Sequence, residues 1–374
     1  MPDDIYYSIA LTRMAGLNLQ TALHLYQTVG SAQAVYEHRN NIGDIVPDST
    51  PRLREAMKDW DEALHRAAVE MEFITKHHIQ ALTPNDEHYP QRLMECQDAP
   101  LVLYYMGTAN LNQRHVISIV GTRHATVYGQ DLTRRFISEL RQRCPQVLIV
   151  SGLAYGIDVC AHRNALEQQM ETVGVLAHGL DELYPRSHRD TAKQMVGQGG
   201  LLSEYMTQTH VDKRNFVQRN RIVAGMSDAT IVVESAAKGG SLITANIAQS
   251  YDRDVFAFPG AVGATASEGC NKIIRDHKAQ LITSAADFIE AMGWEDARAA
   301  DDDSRASREL SLFPELSTEE QTIVTALQNI NDQQINTLAV QTNIPVAQLI
   351  GLLFNLEMKG VVRTMAGGMY HLLA

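Results

Sequence analysis

The 374-residue chain has no run of eighteen uncharged apolar residues and no charged-then-apolar signal at its amino terminus. A membrane-spanning helix or a cleaved leader is therefore not expected. The reading is of a soluble, cytoplasmic chain with no membrane partner. Cysteine is scarce: Cys96, Cys144, Cys160 and Cys270 are scattered, without the paired spacing of a zinc site or a disulfide framework. They suit a reducing compartment as small buried hydrophobes. No Gly-Lys pair occurs, which excludes the G-x-x-x-x-G-K-[ST] loop of nucleoside triphosphatases. The fourteen histidines show no H-x-x-x-H or related spacing, and no nucleophile stands near a credible base. No catalytic residue, metal or cofactor is expected. An excess of positive charge is also missing, since the chain carries a formal −12. At first sight that argues against a nucleic-acid partner.

The distribution of charge softens the objection. Residues 1–109 carry 8 basic and 15 acidic side chains, residues 110–295 carry 19 of each, and residues 296–374 carry 5 and 10. Exposed charges act over only about 8 Å at physiological salt, so a local basic patch can bind within an acidic protein. Such a patch opens the stretch KRNFVQRNRIVAGMSDATIVVESAAKGGSLITANIA from Lys213 to Ala248. Lys213, Arg214, Arg219 and Arg221 fall within nine residues, without an acid and around one aromatic, Phe216. Ala229–Val233 follows as a buried strand, then Lys238-Gly239-Gly240-Ser241 and a helical pattern from Leu242. A strand that passes through glycines into a helix start leaves backbone amides unpaired at the positive end of the helix dipole. Cations around a ring beside such amides suit a phosphate backbone with a base stacked on the aromatic.

The same pattern recurs along the chain. Apolar runs at Val116–Val120, Val147–Val150, Val173–Ala177, Gly200–Ser203, Ala229–Val233 and Val255–Phe258, with a possible seventh at Gln280–Ile282, start 25 to 31 residues apart. Amphipathic stretches separate most of them. This is the spacing of repeated βαβ units, and it predicts an α/β class with an extended, Rossmann-like parallel sheet over residues 109–295. Ligands of such sheets sit beyond the carboxyl ends of the strands. The residues there are Gly121-Thr122-Arg123, Ser151-Gly152, Gly179 to Arg186, Glu204-Tyr205, Gly239-Gly240-Ser241 and Pro259-Gly260. Glycines and cations gathered on one edge point to an extended anion.

Flanking regions differ. Residues 1–108 read as a helical module of SAM or helix-hairpin-helix type, ending in an irregular join from Tyr89 to Gly107. Its acidic surroundings favour a packing role. Residues 296–315 read as a flexible acidic linker. Residues 316–374 read as three helices and a Gly367-Gly368 hairpin, a winged-helix-like unit. Its third helix, Val346 to Lys359, has one base and one acid, so a protein contact or a packing role is expected there rather than major-groove reading.

Competing ligands fit less well. The first turn reads GTRHAT rather than G-x-G-x-x-G, and Ser151-Gly152 stand where a dinucleotide site needs a ribose-binding acid. Asp158 reads as a helix cap, and Glu234 as neutralised by Lys238. Pro259 to Thr265 with Glu268 is loosely similar to the P-G-G-x-G-T-x-x-E loop of Rossmann-like nucleotide phosphoribohydrolases. It departs at Ala261 and Ala264, and its acid comes one residue late. A pure protein-interaction adaptor is the third alternative.

Seven blocks stand in order: V-G-T-R (120–123), S-G-L-A-Y-G-I-D with A-H (151–162), G-L-D-x-L-Y-P (179–185), S-E-Y (203–205), R-N-R-I-V-A-G (219–225), V-V-E-x-x-x-K-G-G-S-L-I-T-A (232–245) and F-P-G (258–260). Together they resemble the DNA-processing protein A family, DprA or Smf. Arg275 to Ala279 departs from the Gly-Ala pair often found there. The resemblance implies a non-enzymatic mediator that binds and protects single-stranded DNA during natural transformation. It also implies loading of the RecA strand-exchange protein, usually by a homodimer. Carried over by motif, Arg123 and Lys213 would contact phosphates, Phe216 would stack on a base, and Arg219 and Arg221 would line the pocket. Ser151, Gly152, Gly239, Gly240 and Ser241 would lend backbone or hydroxyl donors. Gly121, Thr122 and Asn220 belong to the same matched turns, and Arg186 is a secondary candidate.

Overall fold

The computed structural model describes residues 2–296, 316–365 and 368–373. It divides into two compact units, Met1–Arg298 and Ala299–Ala374. Apart from Asp296, the expected linker lies outside the described residues, as does Gly367 of the expected hairpin.

The first unit begins with six helices, α1 (Pro2–Leu11), α2 (Leu19–Val29), α3 (Ala32–Glu37), α4 (Ile42–Ile45), α5 (Pro51–Ala56) and α6 (Asp61–Lys76). Side-chain caps on Asn18, Ser31 and Thr50 start three of them, each oxygen accepting from the backbone amide three residues on. Strands β1 (Gln80–Leu82) and β2 (Leu103–Gly107) follow, with α7 (Gln91–Met94) between them. The chain then alternates through β3 (His115–Val120), α8 (Val127–Arg143), β4 (Val147–Ser151), α9 (Ile157–Glu167), β5 (Thr172–Val175), α10 (Arg189–Gln198) and β6 (Gly199–Ser203). It continues through α11 (Lys213–Gly225), β7 (Ala229–Val232), α12 (Gly240–Ser250), β8 (Asp254–Ala257), α13 (Glu268–Arg275), β9 (Gln280–Leu281) and α14 (Ala285–Met292).

All seven expected strands join one nine-stranded sheet in the order β1-β2-β6-β5-β4-β3-β7-β8-β9. From β6 to β9 every pairing is parallel. The two extra strands are antiparallel and fall where a helical module and an irregular join were expected. Strand β2 packs closely because β6 opens with Gly199 and Gly200: a Cβ on Gly200 would stand 2.3 Å from the Tyr105 ring. The Tyr105 hydroxyl donates to the Gly199 and Ala109 carbonyls. A two-glycine strand start is a weak hydrophobic signal, and β2 needs it as a partner, so neither announces the pair in sequence.

Alternation along the strands sorts the core. Val116, Val120, Leu148 and Val150 face the layer of α11, α12 and the amino-terminal helices. Ile117, Ile119, Val147 and Ile149 face α8, α9 and α14. The amino-terminal helices are tied on by polar contacts as well. The buried carboxylate of Glu70 on α6 accepts from the Thr207 amide and hydroxyl beyond β6, and pairs with Arg66 at 2.9 Å.

The sheet runs β3-β4-β5-β6 in one direction, and the chain then returns to lay β7 on the other side of β3. Loops leaving β3 and β7 therefore part in opposite directions. This is the topological switch point of a doubly wound sheet, where a crevice opens.

The carboxy-terminal unit is the expected winged helix. It has α15 (Thr318–Asn329), α16 (Ile335–Thr342) and α17 (Val346–Met358), with strands β10 (Gln333–Gln334), β11 (Val362–Met365) and β12 (Met369–Leu372). Ser317 and Glu320 form a capping box on α15, and Lys359 pairs with Glu320 at 2.7 Å. Helix α17 buries Leu349, Leu353 and Leu356 and exposes Val346, Ile350, Phe354 and Met358.

Candidate nucleic-acid interface

Two close approaches shape the turn after β3. The Thr122 amide donates to the Glu234 carbonyl at 2.8 Å, and the Ile157 amide donates to the Thr122 carbonyl at 3.1 Å. Gly156 makes the second contact possible. It sits at φ 78°, and a Cβ there would lie 2.1 Å from the Thr122 oxygen. The Gly121-Thr122-Arg123 turn is thus clamped between β7 and the start of α9, and Arg123 projects outward. Among the described residues its guanidinium makes no hydrogen bond. It lies 5.4 Å from the Phe216 ring centroid, within cation–π range.

The opposite wall comes from β7 and α12. Gly239 is the N-cap of α12, and the amides of Gly240 and Ser241 find no acceptor among the described residues. The Ser241 hydroxyl is spent on Ser235, at 2.9 Å. Glycine at 239 is required by space, because a Cβ would stand 2.2 Å from the Ser235 hydroxyl. Helix α11 forms the third wall. Between the three walls lies a cleft of about 350 Å³. Of the residues anticipated from sequence it gathers Gly121, Thr122, Arg123, Phe216, Arg219, Asn220, Gly239, Gly240 and Ser241. Lys213 and Arg186 lie outside the lining but are exposed. Lys213 opens α11 one turn before Phe216, and Arg186 begins a 3₁₀ turn.

Several of the expected residues have other partners in the structure. The Ser151 hydroxyl is buried and donates to the Ile119 carbonyl at 2.6 Å, so it is not left to offer a ligand, and the Gly152 carbonyl accepts from Arg219. Arg221 is turned away: its guanidinium pairs with Glu204 and approaches Asp98 at 3.8 Å, next to a different cavity below α2. Arg219 does reach the cleft wall, but it is 4% exposed and donates to the carbonyls of Gly152 and Val175. Two residues apart on α11, the arginines point about 200° from each other, and both meet buried partners because the second half of the helix is enclosed. Glu234 is also not Lys238's partner. It accepts from the Thr126 amide and hydroxyl at the start of α8.

Sequence reasoning placed Asp158 as a cap and did not see His124, Val217, Ile243 or Thr244 in the lining. Asp158 faces the cleft, and burial raises its pKa against the pull of Arg219. The Arg219 guanidinium is itself pushed down by burial, with Asp158 opposing. Behind this pair, His162 is fully buried. Thr172 donates to the Ile149 carbonyl, so the Thr172 oxygen accepts from His162 Nδ1–H at 2.7 Å, and Nε2 is the bare nitrogen. Burial first, then Arg219, lowers the His162 pKa to about 3.

That shift has a measurable sign. The unfolded chain protonates His162 near about 6.5 and the folded chain only near 3, so stability is intact above 6.5 and is lost as pH falls toward 3. Replacing His162 with glutamine is expected to flatten the acid limb of stability by on the order of 1 kcal/mol per pH unit. Urea midpoints at pH 6.5, 5.5 and 4.5 for both proteins check this; parallel curves would contradict it.

Comparison with known proteins agrees with this architecture. Residues 80–293 match the DNA recombination-mediator protein A family, and residues 311–368 match the DprA winged helix domain. Protein Smf of Escherichia coli is 33% identical over 301 residues, covering 78% of this chain and 76% of that protein. The crystal structure of DNA processing protein A from Streptococcus pneumoniae superposes with a TM-score of 0.64 at 30% identity, covering 76% of this chain and 97% of that one. A structure of the Helicobacter pylori protein, described for its single-stranded DNA binding mode, gives a TM-score of 0.52 at 30% identity over 57% of this chain and 95% of that one. With more than half its length inside the first of those matches and its tail inside the second, this chain belongs to the DNA recombination-mediator protein A (DprA/Smf) family.

Proposed function

We propose that this DNA-processing family member binds single-stranded DNA in the cleft between the β3 and β7 loops, without catalysing a reaction on it. One observation carries the reading: Arg123, Phe216 and the free amides of Gly240 and Ser241 converge on one crevice at the switch point. Cations and a helix start take phosphates, and the ring takes a base. Lys213 extends the cationic rim. In the fuller role the protein protects the incoming strand during natural transformation in the cytoplasm and loads RecA onto it, as a homodimer. The H. pylori relative's single-stranded DNA binding mode supports the first part of this reading. For the winged helix a protein contact is proposed, because α17 exposes Val346, Ile350, Phe354 and Met358 and carries no cation.

A gel-shift titration with single- and double-stranded oligonucleotides at two salt concentrations tests the proposal. Tighter single-strand binding that weakens with salt is expected, with little dependence on base sequence. A strong preference for one tetranucleotide, or equal affinity for duplex, would count against it. Free base released from a nucleoside monophosphate, and lost in Glu268→Gln, would favour a hydrolase instead. In the structure Glu268 is exposed at the start of α13 and does not line the cleft.

A further inference from the structure

Beyond the cleft itself, an exposed ring stands at its rim without an internal role. Tyr184 follows β5, and its side chain is 44% exposed. Its backbone is held firmly. The Tyr184 amide donates to Nε2 of the buried His178 at 3.1 Å, and His178 Nδ1 bonds the Gly179 carbonyl at 2.9 Å. The hydroxyl has no partner among the described residues. The ring meets Phe216 edge-on, with centroids 5.8 Å apart and planes inclined by 63°. The Arg123 guanidinium lies 5.4 Å from the Phe216 centroid, and Arg186 stands exposed two residues beyond Tyr184.

We infer that Tyr184 is a second base-stacking seat, and that the angle between the two rings selects unpaired strands over duplex. The inference rests on the proposed single-strand binding at Phe216. A base stacks parallel to the ring it covers, so bases on Phe216 and Tyr184 would be inclined to each other by about the 63° between the rings. Neighbouring bases in a duplex lie parallel and cannot fill both seats. An unpaired strand can splay at that step, while Arg123 and Arg186 flank the two seats as cations for its phosphates. Tyr184 is therefore a specificity-determining residue that acts through its ring face and not its hydroxyl.

The test is a titration of the full chain with single- and double-stranded oligonucleotides at one salt concentration. Tyr184→Ala is expected to raise the single-strand Kd about tenfold and leave the duplex Kd unchanged, so that discrimination falls by the same factor. Tyr184→Phe should remain within about twofold of the parent. Tyr184→Trp should report by indole fluorescence that is quenched when a poly-dT oligonucleotide binds. Equal weakening toward both nucleic acids would overturn the inference, as would a Tyr184→Trp indole that DNA leaves unchanged. If Tyr184→Ala has no effect while Phe216→Ala weakens binding, this inference alone fails. If both are without effect, the site reading fails with it. Should Tyr184→Ala fold poorly, the phenylalanine and tryptophan variants still decide.

Discussion

Arg219→Ala is expected to destabilise the first unit by about 3–5 kcal/mol, the cost of leaving a buried charge without its partner. The guanidinium is 4% exposed and ties the ends of the neighbouring strands β4 and β5 to α11. It donates to the Gly152 carbonyl after β4 and to the Val175 carbonyl of β5, and it is the main countercharge of buried Asp158. Truncation orphans two carbonyls and leaves Asp158 to be neutralised by protonation. Lysine should rescue only in part, since its strongly hydrated ammonium costs more to bury than the delocalised guanidinium. Thermal unfolding should fall by roughly 6–20 °C. If the variant instead melted like the parent and lost DNA affinity with a flatter salt dependence, Arg219 would be a phosphate contact. The scaffold role argued from its burial would then be wrong.

Phe216→Ala is expected to weaken single-stranded DNA binding by about 1–3 kcal/mol while leaving the slope of log K against log salt unchanged. The ring is half-buried, close to Arg123 and Tyr184, and uncharged, so its loss removes stacking without changing the number of released counterions. Arg123→Ala and Lys213→Ala should behave in the opposite way and each flatten the slope by about 0.7. The contrast separates a stacking platform from a patch of charge. A Phe216→Ala protein with reduced thermal stability would place the ring in the core. Unchanged affinity with an intact fold would remove it from the site.

Much of this arrangement can be read from residue order. The seven strands of the parallel sheet are visible as apolar runs at regular spacing, and the Gly-rich turns after β3 and β7 carry their chemistry openly. Arg123, Gly239 and Gly240 stand where those turns put them, and Phe216 meets them from α11. The two antiparallel strands at one end of the sheet carry no such signal, because β2 owes its place to a pair of glycines that clear room for Tyr105, a contact with no periodic signature. The basic stretch was misread in a different way. Four cations within nine residues look like one patch, but coiled into α11 they face different directions. Lys213 and Arg214 reach solvent, while Arg219 and Arg221 turn inward to carbonyls and to Glu204.

Sequence alone therefore determined the class of sheet, the loops that meet at its switch point and the presence of a ring among cations. Each of these follows from local pattern: strand periodicity, glycine at a turn, charge beside an aromatic. Which cations remain free for a ligand was decided only by the tertiary structure. So was the pairing of Tyr184 with Phe216, which brings a residue of the loop after β5 against helix α11. Helical phase and packing set the direction of each side chain, and a charge becomes a binding group or a strut according to whether water or a buried carbonyl lies in front of it.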